Sequence, residues 1–382
     1  MSETRYGVVV VGAGVVGLAA AWHLLRLGCR PLALVEQFRL GHTRGSSHGG
    51  VRMTRSTYAN AEYAALMQHV HAEEWPRLER DAGATLVRWG DVLFFGPDRR
   101  SLAGYAAAVR AAGVDVERLT VADARRAFPS LRFADDAEIL RDRTGGVIAA
   151  GETLRALHRL VVRGGGEVRE ETRVLEIDRG ADPIRVVSDR GMLLAERVVI
   201  ASGPWLRELV PAVRSEVTVV PQVVEYFRLG VPASSIPGWV HFGGEDSGVT
   251  YALAEVDRDA LKAGLHVTRG ADAHPDAVEP PPPGATDPLR VVLERVLATP
   301  ILESLGVERC LYTTTPTEEF VIDHWPGDSR VAFASACSGH GFKFAPLTGR
   351  ILAELVIHGR ADLPSGRHSA SLFALRPPTP TR

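Results

Sequence analysis

Cysteine is scarce in this chain of 382 residues: Cys29, Cys310 and Cys337 are the only three. An odd, sparse set does not make the disulfide framework of a small secreted domain, and no pair has metal-ligand spacing. Neither sign of charge is in excess. Lys and Arg number 44 against 46 Asp and Glu, spread along the chain rather than blocked, so no electrostatic footprint for nucleic acid is present. Long apolar runs are missing too, and none approaches the roughly 20 residues of a membrane helix. The first residues precede a short apolar run that breaks at Gly12 and Gly14; they lack the apolar core and cleavage site of a secretory leader. No internal repeat is visible. A cytoplasmic protein with neither membrane nor nucleic-acid partner is the expectation. At 45% hydrophobic and 24% charged, the composition is that of a globular chain. Its length suits two or three domains of roughly 150 residues.

Residues 7–11 form a continuous apolar run, as expected of a parallel strand buried on both faces. Residues 15–27 follow with helical spacing, Gly28 marks the stop, and residues 31–36 read as a second buried strand ending in an acid. Residues 41–50 are loop. Helices are expected over 62–78, 101–112, 121–128, 151–163, 288–305 and 344–357, and strands over 91–95, 197–203, 309–315 and 330–336. Between 217 and 269, alternating runs separated by Gly, Asp and Ser predict an antiparallel sheet. The proline run at 279–284 predicts a stiff extended loop, and residues from Ser369 onward a loose tail.

Gly12-Ala13-Gly14-Val15-Val16-Gly17 lies between the first strand and helix, and Glu36 ends the next strand. Gly12 permits the tight turn, Gly14 lets the backbone approach a pyrophosphate, and Gly17 lets the helix pack on the strand. The helix N-terminus offers free N–H groups and partial positive charge to phosphate, and Glu36 can accept hydrogen bonds from ribose hydroxyls. The motif alone does not separate FAD from NAD. An N-terminal βαβ unit followed by a mixed second domain tilts the choice to FAD.

Three further segments carry a resemblance: residues 45–52 (GSSHGGVR), 310–313 (CLYT) and 338–344 (SGHGFKF). In order and spacing, the chain resembles the monomeric sarcosine oxidase and N-methyltryptophan oxidase family almost end to end. The resemblance implies an α/β fold. In it, a glutathione-reductase-type FAD-binding Rossmann domain (1–85, 145–215 and 310–382) is interleaved with an α+β substrate domain (86–144 and 216–309) on a large antiparallel or mixed sheet. It implies that Cys310 joins the 8α-methyl of FAD through its sulfur. That needs a thiolate, so local positive charge must lower the thiol pKa. Read without the resemblance, Cys310 is a small buried hydrophobe, as Cys29 and Cys337 remain.

Ser46, His48 and Arg52 resemble the loop that covers the flavin, although the family more often has His where this chain has Ser47. Gly339, Gly341, Phe342 and Lys343 resemble the glycine-rich turn into the last helix, whose N-terminus would stabilise negative charge on the flavin. Lys343 and Arg55 resemble the pair that holds the substrate carboxylate. Lys262 resembles the lysine that activates O2, and with His266 it falls on one face of a strand. Tyr58, Tyr251, Tyr312 and His266 are further pocket candidates. Taken singly, each of these residues also reads as an ordinary surface charge or core aromatic.

The expected activity is oxidation of the C–N bond of a secondary-amine amino acid, N-methylated or cyclic, by a monomer. O2 is the acceptor, and an imine and hydrogen peroxide are the products. Lys262, Arg52 and His48 are the expected catalytic groups. A flavin dehydrogenase serving a carrier, an NAD-linked dehydrogenase and a silent family member are the alternatives. The pattern over 243–254 departs from short sarcosine-type members, so a larger or cyclic biosynthetic substrate stays open.

Overall fold

The computed structural model describes residues 5–244, 248–277 and 279–375. The strands Arg5–Val11 and Leu32–Val35 lie parallel, joined through the helix Val15–Arg26. Their Val, Leu and Ala side chains are buried on both faces, as a continuous apolar run requires. Around them grows an eight-stranded sheet. Its main path is Val174–Asp178, Ile184–Ser188, Gly191–Ile200, Arg5–Val11, Leu32–Val35 and Glu167–Arg169. Asp328–Ser335 joins parallel to the end of Gly191–Ile200 and carries Val321–Trp325 antiparallel at its side.

Three helices, Val15–Arg26, Ala150–Arg163 and Ala345–His358, pack on one face of this sheet. The first and last approach closely because Gly349 has no side chain; a Cβ there would lie 2.5 Å from the Ala19 backbone. Leu206, Val210, Val213 and Val217 cover the other face.

The second sheet also has eight strands: Ile301–Thr314, Thr218–Leu229, Ala260–Leu265, Val249–Glu255, Gly238–Phe242, Val92–Gly96, Glu138–Asp142 and Val116–Leu119. All neighbours are antiparallel except Gly238–Phe242 and Val92–Gly96. One face packs Phe227, Ala252, Leu261 and Ala263 against the helix Asp287–Val296. Side chains alternate along a strand, so Tyr226, Tyr251, Leu253 and Lys262 turn to the other face. A small third sheet pairs Val51–Thr54 and Val87–Trp89 with Gly146–Ala149.

Two expectations need correction. The helix drawn over 288–305 ends at Val296, and residues from Ile301 belong to the strand Ile301–Thr314. Pro300 cannot donate to a helix and forces the preceding residue extended. That strand runs unbroken across residues 309–310. The tail is ordered as far as Leu375, because Phe373 inserts into the core beside Tyr63 and Phe320; residues 376–382 lie outside the described residues.

The helix expected over 62–78 runs from Ala61 to Ala82 but contains a wide turn at Val70–Glu74. That turn places Glu74 wholly inside, where Arg350 Nε and Arg77 Nη1 donate to it at 2.9 Å and His69 lies at 3.2 Å. Burial pushes the Glu74 pKa up, but the His69 hydrogen bond and the charges of Arg350, His23 and Arg77 outweigh it and hold the group at about 2. A depressed acid adds stability that is present above its unfolded value and lost as pH falls through the folded one. Glu74→Gln therefore lowers stability by about 2 kcal/mol at neutral pH, less than for a wholly buried pair since Arg350 keeps some water. The gap to wild type in denaturant melts closes between pH 4.5 and about 2.

Candidate active site

The glycine fingerprint is packed as its spacing demands. Gly12 has φ +97°, and a Cβ there would lie 2.5 Å from Ala201 O; one on Gly17 would lie 1.8 Å from Gly12 O. The helix Val15–Arg26 starts at Gly14 with no side-chain cap and no acid in its first turn. Its Val15 N–H donates to Ser47 Oγ at 3.1 Å. Glu36 is buried and accepts from the N–H groups of Ala13 at 2.8 Å and Phe38 at 3.0 Å. The cleft between these ends is lined also by Ser46, His48, Ser202 and Phe342. Ser202 Oγ is buried there without a hydrogen-bond partner among the described residues. A helix start free of acids, a glycine cradle, an orphaned hydroxyl and a terminal acid fit an elongated dinucleotide.

A second cavity of about 500 Å³ continues from this cleft; Ser46, His48, Cys337 and Phe342 line both. It brings together Arg52, Arg55, Tyr58, Tyr251, Lys262, His266, Cys310, Tyr312, Gly339, Gly341 and Lys343, which the sequence spreads over nearly 300 residues. No carboxylate among the described residues lies within 4.0 Å of Arg52, Arg55, Lys262 or Lys343. Instead, Arg52 donates to the backbone oxygens of Ser46, His48 and Val51, and its guanidinium sits 5.4 Å over the Phe342 ring. Arg55 donates to Thr57 O and covers the Tyr58 ring at 4.3 Å.

Lys262 is 5% exposed and among the described residues donates to Val51 O alone, at 3.5 Å. Burial and then the charge of Arg52 bring its pKa down to about 7. Lys343, also 5% exposed, donates to Tyr58 Oη at 3.2 Å and His340 O at 3.0 Å. Burial and Arg55 drive its pKa well below the ordinary lysine range.

His48 and His340 are neutral, their pKa values lowered by burial. His48 Nε2–H donates to Arg309 O, leaving Nδ1 buried and without a partner; burial and Arg52 hold its pKa at about 4. His340 Nε2–H donates to Glu318 O, so Nδ1 accepts from Tyr58 Oη at 3.3 Å. Gly339 (φ +75°) lets Tyr312 and His266 pack onto the backbone, since a Cβ there would lie 2.4 Å from the Tyr312 ring and 2.7 Å from His266. His266 Nε2 lies 3.7 Å from Glu318.

Two expectations change. Arg52 and Lys262 do lower the Cys310 thiol, but burial outweighs them and the net shift is upward. Cys29 packs against the core as expected of a small hydrophobe, whereas Cys337 lines both cavities. Sequence reasoning missed Ser47 as the partner of the helix start. It also missed Asp142, which is wholly buried and accepts from the N–H groups of Ser56 and Thr57, both at 2.8 Å. That clamp fixes the segment bearing Arg55 and Tyr58. One signal could have singled out the site: only two of the 44 basic residues are lysines, Lys262 and Lys343, and both are buried in this cavity.

The chain belongs to the FAD dependent oxidoreductase family, which it matches over residues 7–355. Its branch is that of the sarcosine and N-methyltryptophan oxidases. It is 31% identical to the peroxisomal sarcosine oxidase of Mus musculus over 371 residues, 91% of each chain. It is 27% identical to the N-methyl-L-tryptophan oxidase of Salmonella enteritidis, covering 92% of this chain and 95% of that one. Among solved structures it is similar to NikD, described as an unusual amino acid oxidase essential for nikkomycin biosynthesis, at 25% identity and a TM-score of 0.86 over 99% of each chain.

Gly339→Ala should push the Tyr312 and His266 rings into the cavity. A displacement of about 1 Å at a reacting centre costs about 100-fold in rate. The variant is expected to keep its cofactor, read by absorbance, and to lose about that much kcat/KM.

Proposed function

We propose that this protein is an FAD-dependent oxidase of a secondary-amine amino acid, converting its C–N single bond to an imine with O2 as acceptor. The observation that carries the reading is the set of four cations, none with a carboxylate in contact among the described residues, in a cavity continuous with the dinucleotide cleft. When bound, FAD accepts the two electrons of the C–H bond and delivers them to O2. The substrate loses that hydrogen as a hydride equivalent and the N–H proton; O2 gains two electrons and two protons and leaves as hydrogen peroxide.

Lys343 and Arg55 hold the substrate carboxylate, with Tyr58 fixed beneath them by Lys343 and His340. The guanidinium supplies a planar fork and the ammonium a point charge. No side chain is needed as base if the amine arrives neutral. Neutral His48 and His340 are consistent with that, and the imine hydrolyses or cyclises after release. Lys262 and Arg52 keep positive charge beside the site of O2 reduction, which favours charge transfer to O2 and an oxidase over a dehydrogenase serving a carrier. The 500 Å³ cavity would hold the reactive end of FAD beside Cys310, Arg52 and Lys262 together with a cyclic or N-methylated amino acid.

Cys310 Sγ is proposed to bond to the 8α carbon of FAD, its thiolate favoured by Arg52 and Lys262 once the ring is in place. The two large sheets are proposed to serve the cofactor and the substrate respectively. The protein is proposed to act as a cytoplasmic monomer; no helix among the described residues is long and apolar enough to cross a membrane.

Purified protein should be yellow, with colour retained in the acid pellet. Cys310→Ser should release it or lack it. Full release from wild type would remove the linkage, and a colourless protein that takes up no FAD would remove the whole reading. Lys343→Met should keep the flavin spectrum and raise the substrate KM by about 100-fold, as loss of one partner of a buried charge pair does.

A further inference from the structure

The paired glycines Gly49 and Gly50 sit under two side chains of opposite charge. A Cβ on Gly49 would lie 3.4 Å from Lys262 Nζ, and one on Gly50 would lie 1.7 Å from Glu255 Oε1. Consecutive Cα atoms are about 3.8 Å apart, so the ammonium and the carboxylate rest against adjoining backbone positions. The sheet register agrees: Leu253 lies opposite Lys262, and Glu255, two residues on, shares the face of Leu253. Glu255 is 8% exposed, and its Oε2 is buried without a hydrogen-bond partner among the described residues. Its neighbour Glu308 reaches the same corner from the strand Ile301–Thr314, where Tyr226 Oη donates to it at 2.9 Å. Arg258 braces both acids from outside, 3.5 Å from Glu255 and 3.9 Å from Glu308.

We propose that Glu255 and Glu308 are positioning residues that supply the counter-charge keeping Lys262 an ammonium ion at the site of O2 reduction. This rests on the oxidase reading above for its purpose, but not for its test. Neither acid comes within ion-pair distance, so the charge of Lys262 is sustained without being cancelled by a contact partner. The groups facing Lys262 are Arg52, Cys310, Glu308 and Glu255, with His48 nearby and the Tyr226 ring 5.6 Å away. Burial and then Arg52 work against its proton; Cys310, Glu308 and Glu255 work for it, and of these only the two glutamates would still do so with the Cys310 sulfur bonded to carbon. Those facing Glu255 are Arg258, Lys262, Glu308 and Asp257; burial first, then Glu308 and Asp257, raise its pKa, and Arg258 and Lys262 oppose that rise without cancelling it. The adjoining glycines are what allow the arrangement, since any side chain at position 50 would displace the carboxylate.

The chain's two lysines make a direct test possible. Holoenzyme labelled with 13C at lysine Cε gives one resonance each for Lys262 and Lys343, assigned with Lys262→Met. The midpoint of the Lys262 titration is expected to fall by about one pH unit in Glu255→Gln, and further in the Glu255→Gln/Glu308→Gln double variant. Lys343 should be unmoved. Reoxidation of reduced flavin by O2 should lose its fast phase at correspondingly lower pH, with anaerobic reduction by substrate unchanged. A Lys262 midpoint identical in wild type and the double variant, with the fold retained by circular dichroism, would overturn the proposal. Displaced midpoints with reoxidation insensitive to pH would leave the counter-charge intact and instead remove the oxidase role of Lys262.

Discussion

Taking a charged side chain out of water costs several kcal/mol unless something answers the charge. In this protein two buried lysines and two half-buried arginines line one cavity, and none has a carboxylate in contact among the described residues. The consequence is visible in Lys262 and Lys343, both driven toward losing their protons by burial and by the neighbouring guanidinium groups. Such a cavity favours whatever anion enters it. A substrate carboxylate and a cofactor that gains negative charge on reduction both satisfy that demand. Positive charge held there thus becomes binding and redox preference.

The surrounding fold holds these charges still. Arg52 is pinned by three backbone oxygens of its own loop, and Asp142 clamps the turn that carries Arg55 and Tyr58. Lys343 stands at the start of the last helix, its carbonyl accepting from Trp75 Nε1 at 2.9 Å. Helix 61–82 is tied to that last helix by the buried Glu74–Arg350 pair. Lys262 comes from the second sheet, so the cavity is closed by two rigid layers rather than by a loop alone. Sites built on such elements keep their geometry better than sites on loops.

The first βαβ unit was legible because its signals are local: Gly12, Gly14, Gly17 and Glu36 act within one strand–turn–helix. The strand face carrying Lys262 was legible by alternation, and most helices by their periodicity. The family motifs placed Cys310 and Lys343 at the site. What stayed hidden depends on contacts far apart in sequence. Asp142 meets Ser56 across 86 residues, and Ser47 meets Val15 across 32. Cys337 looks like any small hydrophobe until the turn bearing it is folded between two cavities. The helix overrun past Val296 was a reading error of another kind, since Pro300 stood in the sequence as a local stop.

The central claim, that positive charge without a contact carboxylate defines the substrate site, is tested most directly by ligand titration of the oxidised holoenzyme. The ligands are a non-oxidisable acid, with oxygen or sulfur in place of the amine nitrogen, and its uncharged primary amide. The acid is predicted to perturb the flavin spectrum and to bind at least about 30-fold more tightly than the amide, the loss expected when a buried charge pair is broken. Equal affinity for acid and amide would contradict the account.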